Sequence, residues 1–218
     1  MMSRVLLAAT AMALVPASAS AAELIVNGGF EDPTVTNPCC NTVPPDPLPG
    51  WTVTPNVNVV NGTFGSTAGN LAEEGVQYLD LVGQGGTGSI SQSFITVAGQ
   101  VYTLSFIFSH NLFSQTPSAS ASFSVDGLVG SVFHNSGSTS DLDWLTFSGN
   151  FTADNSSATL NFTNLTGGIN EGVFLDAVSV QAAVPEPATW AMMLLGFGAI
   201  GGAMRASRRK QRGVAFAA

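Results

Sequence analysis

The side chains of this sequence that could do chemistry are mainly carboxylates. Thirteen Asp or Glu residues lie between Glu23 and Val184, and the same span contains no Lys or Arg. All six basic residues lie at the two ends of the chain, which leaves nothing in the middle to neutralise the phosphates of a nucleic acid. We therefore exclude nucleic acid as a partner.

One of these carboxylates falls inside an apolar alternating pattern. A period of two places Asp176 on one face of a strand with Phe174, Val178 and Val180. A carboxylate on an apolar face is costly unless it is satisfied. Without Lys or Arg, the partners left are backbone N–H groups, a shared proton, water or a bound cation. Ca²⁺ suits such hard oxygen ligands, so calcium is one interpretation and backbone capping is the other.

Aromatic residues could bind sugars, because exposed rings beside amides and carboxylates stack on sugar faces. The candidates are Trp51, Tyr78, Trp144, and Phe113 with Asn111. Core packing is the alternative for each of them. We take Trp51 and Trp144 as the candidate ligand-binding residues.

Catalysis is the less favoured interpretation. The sequence has neither a Gly-x-Ser-x-Gly elbow nor a His-Glu-x-x-His helix motif. Glycoside hydrolysis needs two converging carboxylates, whereas the adjacent pair Glu73-Glu74 would face opposite sides of a strand. His110 and His134 are isolated in the sequence, and no Cys-x-x-Cys motif accompanies them to suggest zinc.

Short strands must position these side chains. Alternation predicts about nine or ten of them, separated by Gly, Asn, Asp and Pro clusters. They fall near residues 24–27, 51–54, 57–61, 76–82, 101–108, 120–125, 145–151, 158–163 and 173–180. One apolar face per strand favours an all-β antiparallel jelly-roll β-sandwich. Six prolines between Pro33 and Pro49 predict a rigid loop rather than a strand.

Cys39 and Cys40 are adjacent in that proline-rich loop and are the only cysteines. Three states remain open from the sequence: a vicinal disulfide, free thiols, or pairing with another chain. Export would favour oxidation.

The first residues have the pattern of a secretory signal peptide. Arg4 precedes an apolar run from Val5 to Val15, and small residues follow as far as Ala22. We predict cleavage between Ala19 and Glu23, so the chain is expected to be exported.

The other end predicts a transmembrane helix over about residues 188–204. These residues are apolar on all faces, and their length of about 26 Å as a helix is at the short limit for spanning a bilayer. Trp190 stands where an interfacial anchor would be, and the basic cluster after Met204 is expected to stay cytoplasmic.

This end resembles the PEP-CTERM sorting signal of Gram-negative bacteria. The matching residues are Pro185, Glu186 and Pro187, then Thr189 to Met193, Gly196 to Gly198, and the basic tail. The resemblance implies recognition by an exosortase, cleavage near Pro-Glu-Pro, and release or re-attachment at the cell envelope, often with exopolysaccharide. The precursor is expected to be anchored in the inner membrane.

The middle of the chain resembles galactose-binding-like jelly rolls, which include many carbohydrate-binding modules. The resemblance rests on Asn27-Gly-Gly-Phe-Glu31, Ile90 to Phe94, Gly99 to Phe106, Trp144 to Phe147, and Phe174 to Ser179. It implies that the first and last strands adjoin with a structural Ca²⁺ between them, held by Glu31 and Asp176. Ala177 stands where the family often has a second acid. A solvated Glu31 and an N–H-capping Asp176 remain the alternative.

The sequence therefore predicts a signal peptide at 1–22, a galactose-binding-like jelly-roll domain at 23–181 and a sorting segment at 182–218. The predicted function is an exported, non-catalytic envelope protein that binds extracellular polysaccharide. The alternatives are a structural matrix or surface protein without a defined small ligand, and a glycan hydrolase.

Overall fold

Thirteen strands and one helix are formed by the residues that the computed structural model describes, namely 21–37, 39–44, 47–84, 86–113, 116–166, 172–183 and 187–214. The strands are β1 (Cys40–Val43), β2 (Thr52–Thr54), β3 (Val57–Asn61), β4 (Gln77–Asp80), β5 (Val82–Gly83), β6 (Gly86–Thr87), β7 (Ser89–Ile95), β8 (Val101–His110), β9 (Ala119–Val125), β10 (Leu128–His134), β11 (Leu145–Thr152), β12 (Ser157–Asn164) and β13 (Val173–Ala182). The helix is α1 (Pro187–Val214). The predicted signal peptide lies almost wholly outside the described residues.

The strands form two packed antiparallel sheets, which confirms the predicted β-sandwich. One sheet has the order β1-β3-β4-β13-β8-β11 and the other β10-β9-β12-β7-β2, while β5 and β6 pair separately. Apolar residues of alternating phase fill the space between the sheets, among them Leu104, Phe106, Phe123 and Phe162. This burial of one face per strand follows from the period of two.

The first segment of the domain lies against the last strand, as predicted. Glu23 forms a β-bridge with Gln181, and the backbone N–H of Leu24 donates to the carbonyl of Val180 at 3.0 Å. The predicted strand at 24–27 does not form, because the chain turns at Asn27, whose φ is +56°.

A β-bulge in β13 changes which residues share a face. The register against β8 shifts between Asp176 and Ser179, and Ala177 has a φ of +50°. Val178 consequently packs in the core between the sheets, whereas Phe174 packs on the opposite, outer face. The prediction that Asp176 shares a face with Val178 and Val180 is therefore wrong, since an extra residue reverses the alternation.

The outer face of the six-stranded sheet is also covered. Val60, Tyr78, Leu142 and Phe174 form a second apolar cluster on it. The segments at 62–76 and 135–144 contribute to this cover, because Leu71 and Trp144 pack against the cluster. The middle strands β3 and β4 are therefore buried on both faces.

Several strands lie outside the ranges predicted from the sequence, among them β1, β7 and β10. β1 forms inside the proline-rich segment and pairs antiparallel with β3, in the register Cys40↔Val60. This is possible because β1 is an edge strand, where nearby prolines cost no ladder hydrogen bond. β10 pairs with β9 through a turn at Asp126-Gly127, whose positive φ values of 35° and 59° suit a tight hairpin.

Helix α1 contains the region predicted to cross a membrane. Among the described residues, no helix is both long and apolar enough to meet the usual requirements for a bilayer span. The transmembrane helix predicted at about 188–204 is therefore not supported. Four glycines dilute the apolar stretch, and Arg205 follows it after about 17 residues.

Candidate functional site

A cavity of about 560 Å³ opens on the outer face of the six-stranded sheet. This volume lies within the range of about 300–1,000 Å³ that is typical of small-molecule sites. Its polar lining residues are Thr42, Asn58, Asp80, Gln84 and Asn111, and its apolar ones are Val60, Phe64, Phe113 and Phe174, with Cys39 and Cys40 completing the wall. Aromatic walls with a few polar groups are typical of small-molecule sites.

Asp80 is the only carboxylate among the described lining residues. It ends β4 on the outward-facing phase and is 2% exposed. The backbone N–H of Val82 donates to Oδ1 at 2.9 Å, and the amide Nδ2 of Asn111 donates to Oδ2 at 2.9 Å. Burial raises the pKa of Asp80 to about 7, although these two hydrogen bonds act in the opposite direction. Its two protein donors thus leave the carboxyl less stabilised as an anion than it would be in water.

Two aromatic rings form one wall of the cavity. The ring centroids of Phe64 and Phe113 are 5.5 Å apart. Gly65 allows this arrangement, because a Cβ there would lie 2.6 Å from the Phe113 ring and its φ is +64°. Asn111 orients the segment, since the backbone N–H of Phe113 donates to its Oδ1 at 2.9 Å. The sequence identified Phe113 and Asn111 as a pair, and the structure places both at the cavity.

Cys39 and Cys40 form a vicinal disulfide, one of the three states that the sequence left open. Asn37 holds the pair in place from both sides. Its Oδ1 accepts the backbone N–H of Cys39 at 2.8 Å, and its Nδ2 donates to the carbonyl of Cys40 at 2.9 Å. The disulfide therefore forms a fixed, apolar part of the cavity wall.

The two predicted ligand-binding tryptophans lie elsewhere. Trp51 is 7% exposed in the core between the sheets, and its Nε1 donates to the carbonyl of Asn27 at 3.1 Å. The expectation that Trp51 exposes a stacking face is therefore wrong. Trp144 is half-buried, donates from Nε1 to the carbonyl of Leu71 at 2.8 Å, and packs edge-on against Tyr78. Both rings are engaged by the protein.

A second set of carboxylates lies where the first segment meets the last strand. Asp176 accepts backbone N–H groups from Glu73 at 3.0 Å and Glu74 at 2.9 Å on Oδ2, and from Ala177 at 2.7 Å on Oδ1. Glu31 accepts the N–H groups of Val76 at 2.8 Å and Gln77 at 2.9 Å on Oε1. Both carboxylates thus bind the segment at 62–76.

Glu23 closes the same junction from the side of the first segment. Its Oε1 accepts the N–H groups of Ile25 at 2.8 Å and Val180 at 2.9 Å. Its Oε2 accepts the hydroxyl of Ser179 at 2.5 Å. In a region without Lys or Arg, backbone N–H groups provide the positive ends of dipoles that these anions need.

The donor set at this junction does not fit the predicted calcium ion well. One oxygen of Glu31 and both oxygens of Asp176 already accept N–H groups, so these two carboxylates have fewer lone pairs left for an ion. Within the described ranges, no group of three His, Cys, Asp or Glu side chains converges on a common point. Burial raises the pKa of Asp176 to about 7, and the nearby Glu74 carboxylate adds to this effect.

His110 and His134 are far apart in the sequence but meet at the ends of β8 and β10. Their Nδ1 atoms are 2.7 Å apart, and Nε2 of His134 lies 2.8 Å from the carbonyl of Asp143. A carbonyl only accepts, so Nε2 of His134 carries a proton, and the donor between the two Nδ1 atoms depends on the tautomers of the rings. Burial and the neighbouring imidazole lower the pKa of His110. This lowered pKa favours the neutral imidazole at His110.

Comparison with known proteins identifies two segments. Residues 23–181 match the family described as protein of unknown function DUF642, and residues 183–210 match the PEP-CTERM protein-sorting motif. The second match confirms the resemblance stated for the C-terminal end. Pro185 and Glu186 lie outside the described residues, whereas Trp190 lies in α1 and is half exposed. No curated protein matches the chain.

Two solved structures share the fold of the β-domain. A cyclase from Fischerella sp. TAU, in complex with 4-(1H-indol-3-yl)butan-2-one, has a TM-score of 0.52 and 20% identity, covering 76% of this chain and 100% of that chain. The carbohydrate-binding module TmCBM61, in complex with β-1,4-galactotriose, has a TM-score of 0.51 and 17% identity, covering 74% and 99%. These identities show the fold alone, and they confirm the predicted jelly roll.

Proposed function

The chain belongs to the DUF642 family, and we propose that it is an exported, exosortase-processed envelope protein that binds extracellular polysaccharide in the cavity beside Asp80. The cavity carries this proposal. It combines the Phe64–Phe113 wall with hydrogen-bonding groups from Asn58 and Asn111, which is the chemistry that sugar rings and hydroxyls require.

The sorting motif supports the cellular part of the proposal. A PEP-CTERM motif marks a protein for export and sorting to the envelope, and the resemblance implies an association with exopolysaccharide. Exosortase is the proposed processing partner, acting near Pro185, Glu186 and Pro187. The fold shared with TmCBM61, whose complex contains β-1,4-galactotriose, is consistent with a glycan ligand here.

The cavity favours binding over hydrolysis. Glycosidases of the usual type need two carboxyl groups on either side of the scissile bond. Asp80 is the single carboxylate among the described residues that line this cavity. We therefore propose a non-catalytic role, although the fold is shared with an enzyme.

Glycan binding by the full-length chain tests the proposal. We expect retention on at least one glycan of a broad immobilised panel, followed by calorimetry with the matching soluble oligomer. Phe113→Ala should lower the affinity about tenfold, because it removes one stacking wall. Phe133→Ala is the matched control, since this phenylalanine is 57% exposed on β10 and outside the cavity.

Failure of this test would favour the second candidate function, a structural matrix or surface protein. In that case the full-length chain would be retained on no glycan, and it would self-associate or enter biofilm equally well with Phe113→Ala and with Trp144→Ala.

A further inference from the structure

The described lining of the cavity contains one acidic side chain and no basic side chain. Asp80 is the only ionisable side chain among the described lining residues, and the entire span from Glu23 to Val184 lacks Lys and Arg. Its hydrogen-bond partners, the Val82 N–H and the Asn111 amide, are neutral. The other titratable side chain that interacts with it is the phenol of Tyr78, which is neutral at ordinary pH. A buried anion here has no cation of its own.

We propose that the cavity selects an amino sugar with a free ammonium group, which pairs with the carboxylate of Asp80. This inference rests on the proposed function, because it names the class of sugar that the cavity prefers. An ammonium group has three N–H donors and accepts no hydrogen bond. A charge-assisted hydrogen bond from it to a carboxylate is about twice as strong as a neutral one. The ligand would supply the positive charge that the protein lacks.

The rest of the cavity fits the remaining groups of such a residue. The Phe64–Phe113 wall offers a face for the C–H surface of the sugar ring and a further attraction for a cation near it. Asn58 accepts the hydroxyl of Thr42 at 2.8 Å, and the two side chains form a polar rim for sugar hydroxyls. A uronic acid would instead bring a second anion to Asp80, with no Lys or Arg in the domain to offset it.

The protonation state of Asp80 supports the inference and makes it measurable. Burial raises the pKa of this carboxyl to about 7, so an approaching ammonium would lower that pKa and release a proton from the protonated fraction. The affinity for an amino sugar should therefore be highest near neutral pH, because Asp80 gains its proton at lower pH and the amine loses its proton at higher pH, whereas the affinity for a neutral sugar should change little.

The test compares two oligomers that differ only in the amine. The full-length chain is titrated at pH 7 and physiological salt with a β-1,4-linked glucosamine pentamer and with its fully N-acetylated counterpart. We expect the wild-type protein to bind the amine form about tenfold more tightly, as a charge-assisted contact implies. Asp80→Asn should abolish this preference, so that the variant binds the two pentamers with affinities within about twofold of each other.

A control variant separates the cavity from the general acidity of the chain. Asp154→Asn removes the same charge from an exposed position, so it should keep the full preference. Equal binding of both pentamers by the wild type, or loss of the preference in Asp154→Asn, would overturn the inference. Binding of both pentamers with equal affinity would leave the proposed polysaccharide function standing, whereas binding of no glycan at all would remove both.

Discussion

Asp80 and Asp176 are two buried carboxyls that face the same side of one sheet and differ in what surrounds them. Each lies in a domain without Lys or Arg, and burial raises the pKa of each to about 7. Asp176 accepts three backbone N–H groups and is enclosed by the segment at 62–76. Asp80 accepts one backbone N–H and one side-chain amide, and it lines a cavity.

The number of hydrogen-bond donors and the neighbouring space distinguish Asp176, whose role is structural, from Asp80, for which we propose a ligand. At Asp176 the chain itself provides the donors, so the carboxylate joins the last strand to a loop and leaves little for a ligand. At Asp80 the donors are fewer, and the side chain, although only 2% exposed, borders the cavity. The same residue type in the same charge environment can therefore serve folding at one position and recognition at another, depending on how many N–H groups the backbone aims at it.

The largest expected effect is the loss of stability when Asp176 is replaced. Asp176→Ala leaves three backbone N–H groups without their acceptor, and each unsatisfied buried donor costs about 1–3 kcal/mol. We expect a loss of about 3 kcal/mol or more in the free energy of unfolding at pH 7, measured with urea. Asp154→Ala, at an exposed position, should stay within about 0.5 kcal/mol of the wild type. A loss no greater than that of this control would contradict the structural role.

A smaller effect should distinguish Asp80 by its pH dependence. Its pKa rises from 3.8 to about 7 on folding, so the folded state holds the proton more tightly than the unfolded state. This contribution to stability is complete below about pH 4 and is lost as the pH rises to 7. At pH 8, Asp80→Asn should therefore be more stable than the wild type, by on the order of 2 kcal/mol.

Urea unfolding from pH 4 to pH 8 measures this effect. Asp80→Asn should flatten the fall in stability over that range, whereas Asp154→Asn should keep the wild-type slope. Parallel curves for wild type and Asp80→Asn would mean that water reaches the carboxyl and stabilises its anion.

Reduction of the vicinal disulfide should affect ligand binding in the cavity more than it affects the stability of the fold. A bond between neighbours in the chain closes almost no loop, so its loss should cost at most about 1 kcal/mol of stability. The wall of the cavity would nevertheless loosen, and we expect glycan affinity to fall about threefold. Calorimetry on the reduced protein and on the Cys39→Ser/Cys40→Ser variant tests this. Unchanged affinity in both would show that the ligand does not touch the sulfurs.

The smallest expected effect concerns calcium, the ion that the sequence predicted between Glu31 and Asp176. Because these carboxylates already accept backbone N–H groups, we expect calcium added to a metal-free sample to raise the unfolding temperature by less than about 1 °C. A rise of several degrees that EDTA reverses and Asp176→Asn abolishes would instead establish the ion and would make this junction a metal centre.

The sequence predicted what depends on alternation and missed what depends on irregular backbone. The sandwich and the meeting of the first segment with the last strand follow from periodic apolar residues and matching motifs. The predicted face of Asp176 was wrong, because the bulge at Ala177 adds a residue that a period of two does not reveal. The cavity could be anticipated only through Phe113 and Asn111, since its other walls come from separate segments whose approach depends on tertiary structure.

The central position of β13 has a mechanical consequence for a protein whose C-terminal end carries the sorting motif. Tension applied beyond Ala182 enters the domain along β13, which is hydrogen-bonded to β4 on one side and β8 on the other. Antiparallel ladder bonds run perpendicular to the strands, so a pull along the strand loads many of them together rather than one after another. Phe174 of this strand lines the cavity. Force from an attachment at the C-terminal end and force from a polymer bound in the cavity would thus both act on β13. Force along this strand is opposed by its hydrogen bonds to β4 and β8 together.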